Sequence, residues 1–138
     1  MPTFSQKSLD KLATCHPDLI RVFNEVITHT DCTIIEGHRP IEKQAEYFRT
    51  GHSKLDPANP DHFDKCKHIQ RPSLACDVLP CPVDWNDNSR NSWFAGFVMA
   101  TARQLDVELI WGGNWDSDIT HVDKTANFFD APHFQIKD

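Results

Sequence analysis

The sequence predicts an α+β fold, a small antiparallel sheet packed with helices, in a single domain spanning residues 1–138. Three observations predict it. Helical stretches and short apolar runs of strand length share the chain, without the regular strand–helix–strand alternation of a parallel sheet. A length of 138 residues is enough for one buried core and too little for two. With 39% hydrophobic and 25% charged residues, and no low-complexity run, the composition is that of an ordinary globular domain.

The elements follow in order. Residues 5–29 place Leu9, Leu12, Leu19, Phe23, Val26 and Ile27 roughly on one helical face, and Pro17 predicts a break or a second helix. CTIIEG at 32–37 reads as a strand closed by glycine. Pro40 opens the helix PIEKQAEYFRTG at its first turn, and a glycine ends it. Residues 52–73 form a polar loop punctuated by Pro57, Pro60 and Pro72. A loop that long in so small a domain points to function or disorder. LACDVLP is the second strand, 91–105 a buried helix, and VELIWGG at 107–113 a third strand. A long acidic loop, 114–130, precedes the closing strand PHFQI at 132–136.

Charge excludes some partners. A net charge of -6, with Lys and Arg scattered, argues against nucleic acid and against an anionic membrane surface. The N-terminus lacks the apolar core of a secretory signal, and no stretch approaches membrane-spanning length. Synthesis and retention in the cytosol are therefore expected. The five cysteines are odd in number and mostly sit among apolar neighbours, as reduced core thiols do. Cys66, Cys76 and Cys81 lack the paired spacing of a structural zinc site.

A catalytic zinc site needs three protein ligands, an open position for water, and a separate carboxylate to take the water's proton. His68, Asp77 and His133 can supply the ligands, and Asp130, three residues before His133, can be the base. Spacing alone decides little in a chain with eight histidines and twenty acids.

The surrounding stretches carry more. KHIQRPSLACDVLPCPVDW, then LIWGGNWD, then DAPHFQI resemble the phage-type zinc L-alanyl-D-glutamate endopeptidases. These are endolysins related to D-alanyl-D-alanine carboxypeptidases and vancomycin-resistance dipeptidases. The resemblance runs from about residue 34 to 136 and implies the fold shared by D-Ala-D-Ala peptidases and Hedgehog domains. It implies Zn²⁺ held by His68, Asp77 and His133, with Asp130 as general base. In EGHRP at 36–40 it makes Arg39 the residue that binds substrate and steadies the oxyanion, with Gln44 nearby. Two departures stand out: Cys66 occupies the family's serine position, and the His-to-Asp interval is two residues longer than in the shortest family pattern. Cys66 could replace serine as a small neighbouring group or could itself be a thiolate ligand.

The implied substrate is the peptidoglycan stem peptide, cut at the L-Ala–D-Glu bond by a monomeric phage lysis enzyme. By the same resemblance it waits in the host cytoplasm and reaches the wall through a holin-like pore. The same chemistry on a D-Ala–D-Ala bond or a crosslink stays open, and a non-catalytic zinc-stabilised wall-binding module is a more distant alternative. Trp111 and Trp115 can wall the substrate or close the core. Asp116, Asp118 and Asp123 resemble an oxygen-rich Ca²⁺ loop, but the glycine expected after the second acid is missing, which favours a solvated acidic loop.

Overall fold

The computed structural model describes residues 1–118, 120 and 128–138. The N-terminal helical region divides at proline as expected. Helix α1 (Gln6–Leu12) is capped by the Ser5 hydroxyl, and α2 (Pro17–His29) begins at Pro17, with the His16 ring accepting from the Asp18 backbone N–H. Strand β1 (Cys32–Glu36) and helix α3 (Ile41–Arg49) follow. The loop at 52–73 is less irregular than its composition suggests. It contains a one-turn helix α4 (Pro60–Phe63), capped by Asn59, and a 3₁₀ turn (Lys67–Ile69). Strand β2 (Ala75–Pro80), helix α5 (Asn88–Gln104), β3 (Leu109–Trp111) and β4 (His133–Ile136) complete the chain. Helix α5 starts earlier than the apolar pattern indicates because the Asp87 side chain caps it. Strand β3 is shorter than 107–113 because the chain turns after Trp111.

The strands form one antiparallel sheet in the order β1-β2-β4-β3. Helices α2 and α5 pack on each other and on the sheet, burying Phe23, Phe94 and Phe134 completely or nearly so. The Phe134 ring meets Phe23 edge-on at 5.6 Å and Phe94 at 6.4 Å. Burying a ring of this size contributes roughly 1.5–3 kcal/mol, so this trio is a large share of what holds the helices to the sheet. Along β2 the alternation of a pleated strand sends Cys76 and Val78 into that core and Asp77 to the opposite face. Strand β2 is thus the beam on which the site is built. Among the described residues, no helix is long and apolar enough to cross a membrane.

Candidate metal centre and active site

Sheet register assembles the first part of the site. Asp77 of β2 lies directly opposite His133 of β4, so both side chains stand on the same face. His68 arrives from the 3₁₀ turn, which is tied to the residue just before β2 by Leu74 N donating to Lys67 O and to the β1–α3 loop by Arg39 N donating to His68 O. His68 Nε2 lies 3.2 Å from Asp77 Oδ1, and His133 Nδ1 lies 3.3 Å from the same oxygen. One ligand atom from each residue falls within 4.8 Å of the others.

Hydrogen bonds on the far sides of both rings fix what those nitrogens are. His68 Nδ1 is 2.8 Å from Gly37 O, a carbonyl that can only accept, so Nδ1 carries the proton and Nε2 presents a lone pair. His133 Nε2 is 2.9 Å from Gln135 Oε1, which likewise leaves the Nδ1 lone pair facing Asp77. Two lone pairs and a carboxylate oxygen therefore converge in a buried place. That is an unfavourable arrangement unless a cation sits among them. The spacing suits one: two ligand atoms each ~2.05 Å from a tetrahedral ion are ~3.3 Å apart. His68, Asp77 and His133 can hold a metal ion. Without one, a proton must substitute. Burial opposes charge on His133, but the bond and charge of Asp77 outweigh it and raise the imidazole above its usual range. Burial would likewise raise Asp77, but the two histidines overcome it and hold the carboxyl well below the usual range.

Asp130 stands beside this group rather than in it. Its Oδ2 is 3.8 Å from His133 Nδ1, and its side chain is only 26% exposed. Burial first, and the charge of Asp77 second, raise its affinity for a proton. The backbone locks its place: Asp130 N donates to Gly112 O, His133 N to Asp130 O, and Gly112 N to His133 O.

The described residues 2–118, 120 and 128–137 fall within the span matched by a family model for the phage L-alanyl-D-glutamate peptidases, which covers residues 2–137. The chain belongs to that family. It is also similar to the crystal structure of the Serratia marcescens L-Ala D-Glu endopeptidase ChiX, with a TM-score of 0.73 and 26% identity. That likeness covers 98% of this chain and 90% of the other. No curated protein matches it in sequence. The protein is a peptidoglycan peptidase of the phage type, on the α+β fold the sequence predicts.

In this peptidase Arg39 is held on three sides. Nε donates to Glu36 Oε1 at 2.9 Å, Nη2 donates to the same oxygen, and Nη1 donates to Gln44 Oε1 at 2.6 Å. Its guanidinium carbon lies 4.7 Å from the centre of the Tyr47 ring. Gln44 is 2% exposed, and its Nε2 donates to Ser53 Oγ and Leu55 O. It lies behind Arg39 with its amide fully engaged, so its influence on a substrate passes through the arginine.

The two tryptophans separate. Trp115 stacks obliquely on His133 with ring centres 5.3 Å apart, at the edge of the metal-capable group, and donates to Phe128 O. Trp111 packs against the core and donates to Ala131 O, bracing the Asp130–His133 segment from behind. The glycines between them serve the chain itself. A Cβ at Gly112 would meet Asp130 O at 2.3 Å, and one at Gly113 would meet the Trp111 ring at 2.3 Å. Asp116 Oδ1 accepts from the Asp118 backbone N–H, and Asp118 Oδ1 from Thr120. Asp123 of the suggested calcium loop lies outside the described residues. Cys66 is 3% exposed, with its thiol pushed up by burial, and it is absent from the metal-capable group found among the described residues.

Two residues that touch this machinery escaped the sequence reading: Lys43 and Gln135. Gln135 had a signal, since two residues after His133 on a strand is the same face. Glu36 is readable as a partner for Arg39, but its alignment with Asp77 has no signal, for a reason found in the register of β1.

Proposed function

We propose that this peptidase is a single zinc-dependent domain that hydrolyses peptidoglycan stem peptides at the L-Ala–D-Glu bond. Zinc would be held by His68, Asp77 and His133, with Asp130 as the general base. The observation that carries the reading is the convergence of two imidazole lone pairs on Asp77 Oδ1, with the Asp130 carboxylate 3.8 Å from one of them. When bound there, zinc supplies a Lewis acid for water and for the scissile carbonyl.

The residues of the chain divide the remaining work. Asp130 takes the proton of the attacking water and returns it to the leaving amine, and its raised proton affinity suits both directions. Arg39, immobilised by Glu36 and Gln44, offers fixed positive charge to the substrate and to the oxygen that becomes negative. Trp115 walls the cleft beside His133. In this reading the enzyme acts as a monomer, is stored in the host cytoplasm, and works on the wall after release through a holin-like pore.

The test measures zinc content and peptide release together. Asp130→Asn keeps one zinc per chain and loses about 10²–10⁴-fold in kcat. His68→Ala loses both zinc and turnover. Mass spectrometry of digested muropeptides shows L-Ala left on muramic acid and a new amine on D-Glu. Release of terminal D-Ala instead would replace this bond assignment with a carboxypeptidase.

A further inference from the structure

The rank of side chains that bears two of the metal-capable residues has a third member. Strand β1 pairs with β2 through Ile34 opposite Val78, and a bulge then brings Glu36 opposite Asp77. An unbroken register would put Ile35 there and turn Glu36 toward Cys76 and the core. The bulge therefore aligns Glu36, Asp77 and His133 across three strands on one face.

Glu36 uses both oxygens. Oε1 accepts from Arg39, and Oε2 accepts from Lys43 Nζ at 2.9 Å. Its side chain is 13% exposed. Burial would raise its pKa, but the bonds from Arg39 and Lys43 prevail and keep it ionised. One largely enclosed acid thus gathers two cations in a chain of net charge -6. The Tyr47 ring lies under both, 4.7 Å from the Arg39 guanidinium carbon and 5.5 Å from Lys43 Nζ. Arg39 is also bonded through its backbone to the residue that carries the His68 ring. Lys43 differs from Arg39 in exposure, 46% against 12%. An ammonium has three donors, and with Glu36 and Tyr47 engaged at least one is left for an anion.

We propose that Glu36, Arg39 and Lys43 form a carboxylate-reading subsite beside the metal-capable group. Lys43 selects the acidic substrate, and Glu36 positions both cations. This rests on the peptide-hydrolysis reading above and deepens it. A D-glutamyl residue joined to the next residue through its side chain keeps its α-carboxylate free. That anion lies on the leaving-group side of the scissile bond.

The test uses two synthetic muropeptides that differ only at the D-glutamyl α-carboxyl, free acid in one and carboxamide in the other. The wild type favours the acid in kcat/KM. In Lys43→Met that preference falls about three- to tenfold, mainly through KM for the acid, and Lys43→Arg restores most of it. Glu36→Gln erodes the preference as well, because the ammonium loses its anchor. An acid-to-amide ratio unchanged in Lys43→Met overturns the proposal. If the wild type cuts neither peptide, the hydrolysis reading fails by itself. Calorimetric binding of the same two peptides to metal-loaded Asp130→Asn protein then decides the subsite. Tighter binding of the acid that Lys43→Met abolishes upholds it, and equal affinity for acid and amide overturns it.

Discussion

Single side chains here act mostly by fixing other side chains. Gln135 is the clearest case. Its Oε1 accepts from His133 Nε2, which forces the other ring nitrogen to present its lone pair toward Asp77. Gly37 O does the same for His68, but as backbone it cannot be mutated away. Replacing Gln135 by leucine keeps the bulk and removes the acceptor, so the ring is free to rotate or to take the wrong tautomer. Zinc affinity is expected to fall about 10–100-fold, with less change in kcat once the site is saturated. A competitive chelator titration measures the first and a zinc-saturated assay the second. An unchanged affinity would mean that packing alone orients His133. At this scale the metal-capable residues were legible because they sit in recognisable stretches, DAPHFQI above all. Gln44 was legible as a neighbour of Arg39 but not as a buried one, since nothing in PIEKQAEYFRTG says which polar residue turns inward.

At the scale of elements, the strand β2, the division at Pro17 and the proline-led start of α3 were readable from sequence, while the cap of α5 and the strand pairing were not. The bulge in β1 moves Glu36 from one face to the other, and no local pattern in CTIIEG announces it, because the cause is the partner strand. The turn after β3 is similar. WGG reads as a flexible place where a ligand approaches, yet the approach is made by the chain's own 130–133 segment. Gly112 exchanges backbone bonds with Asp130 and His133, and a Cβ there would lie 3.0 Å from His133 Cβ as well as against Asp130 O. Gly112→Ala must therefore push that segment away from the end of β3, carrying one metal-capable residue and the base with it. A destabilisation of about 2–3 kcal/mol is expected, as for overpacking of a close contact. Activity should drop by more than that loss of folded protein explains, since catalysis tolerates little displacement. Urea unfolding beside a zinc-saturated assay separates the two effects, and a fully active, equally stable Gly112→Ala enzyme would refute the account.

Over the whole molecule, the site is where distant parts of the chain are held together: His68 from a turn, Asp77 from the central strand and His133 from the last one. The unfolded chain has no such arrangement, so an ion bound there stabilises the fold by mass action. At a thousandfold excess over Kd this is about 4 kcal/mol. For a chain of this length that corresponds to roughly 10 °C in Tm. The effect should depend on pH in a definite direction. His133 in the metal-free protein is raised above the ordinary imidazole range, mainly through Asp77 once the opposing effect of burial is overcome. Its proton stabilises the metal-free fold below the unfolded imidazole pKa, and that contribution is lost as pH rises through the folded value. The same proton must leave before an ion can bind. Rising pH therefore weakens the metal-free protein and strengthens binding, so the Tm gap between zinc-loaded and chelator-treated enzyme widens as pH climbs through and above the usual histidine range. Calorimetric scans of both forms across that range measure the gap, with His68→Ala as a control that shows little zinc-dependent shift. A gap that stays constant or shrinks toward alkaline pH would mean that the proton and the ion do not compete for the lone pair of His133.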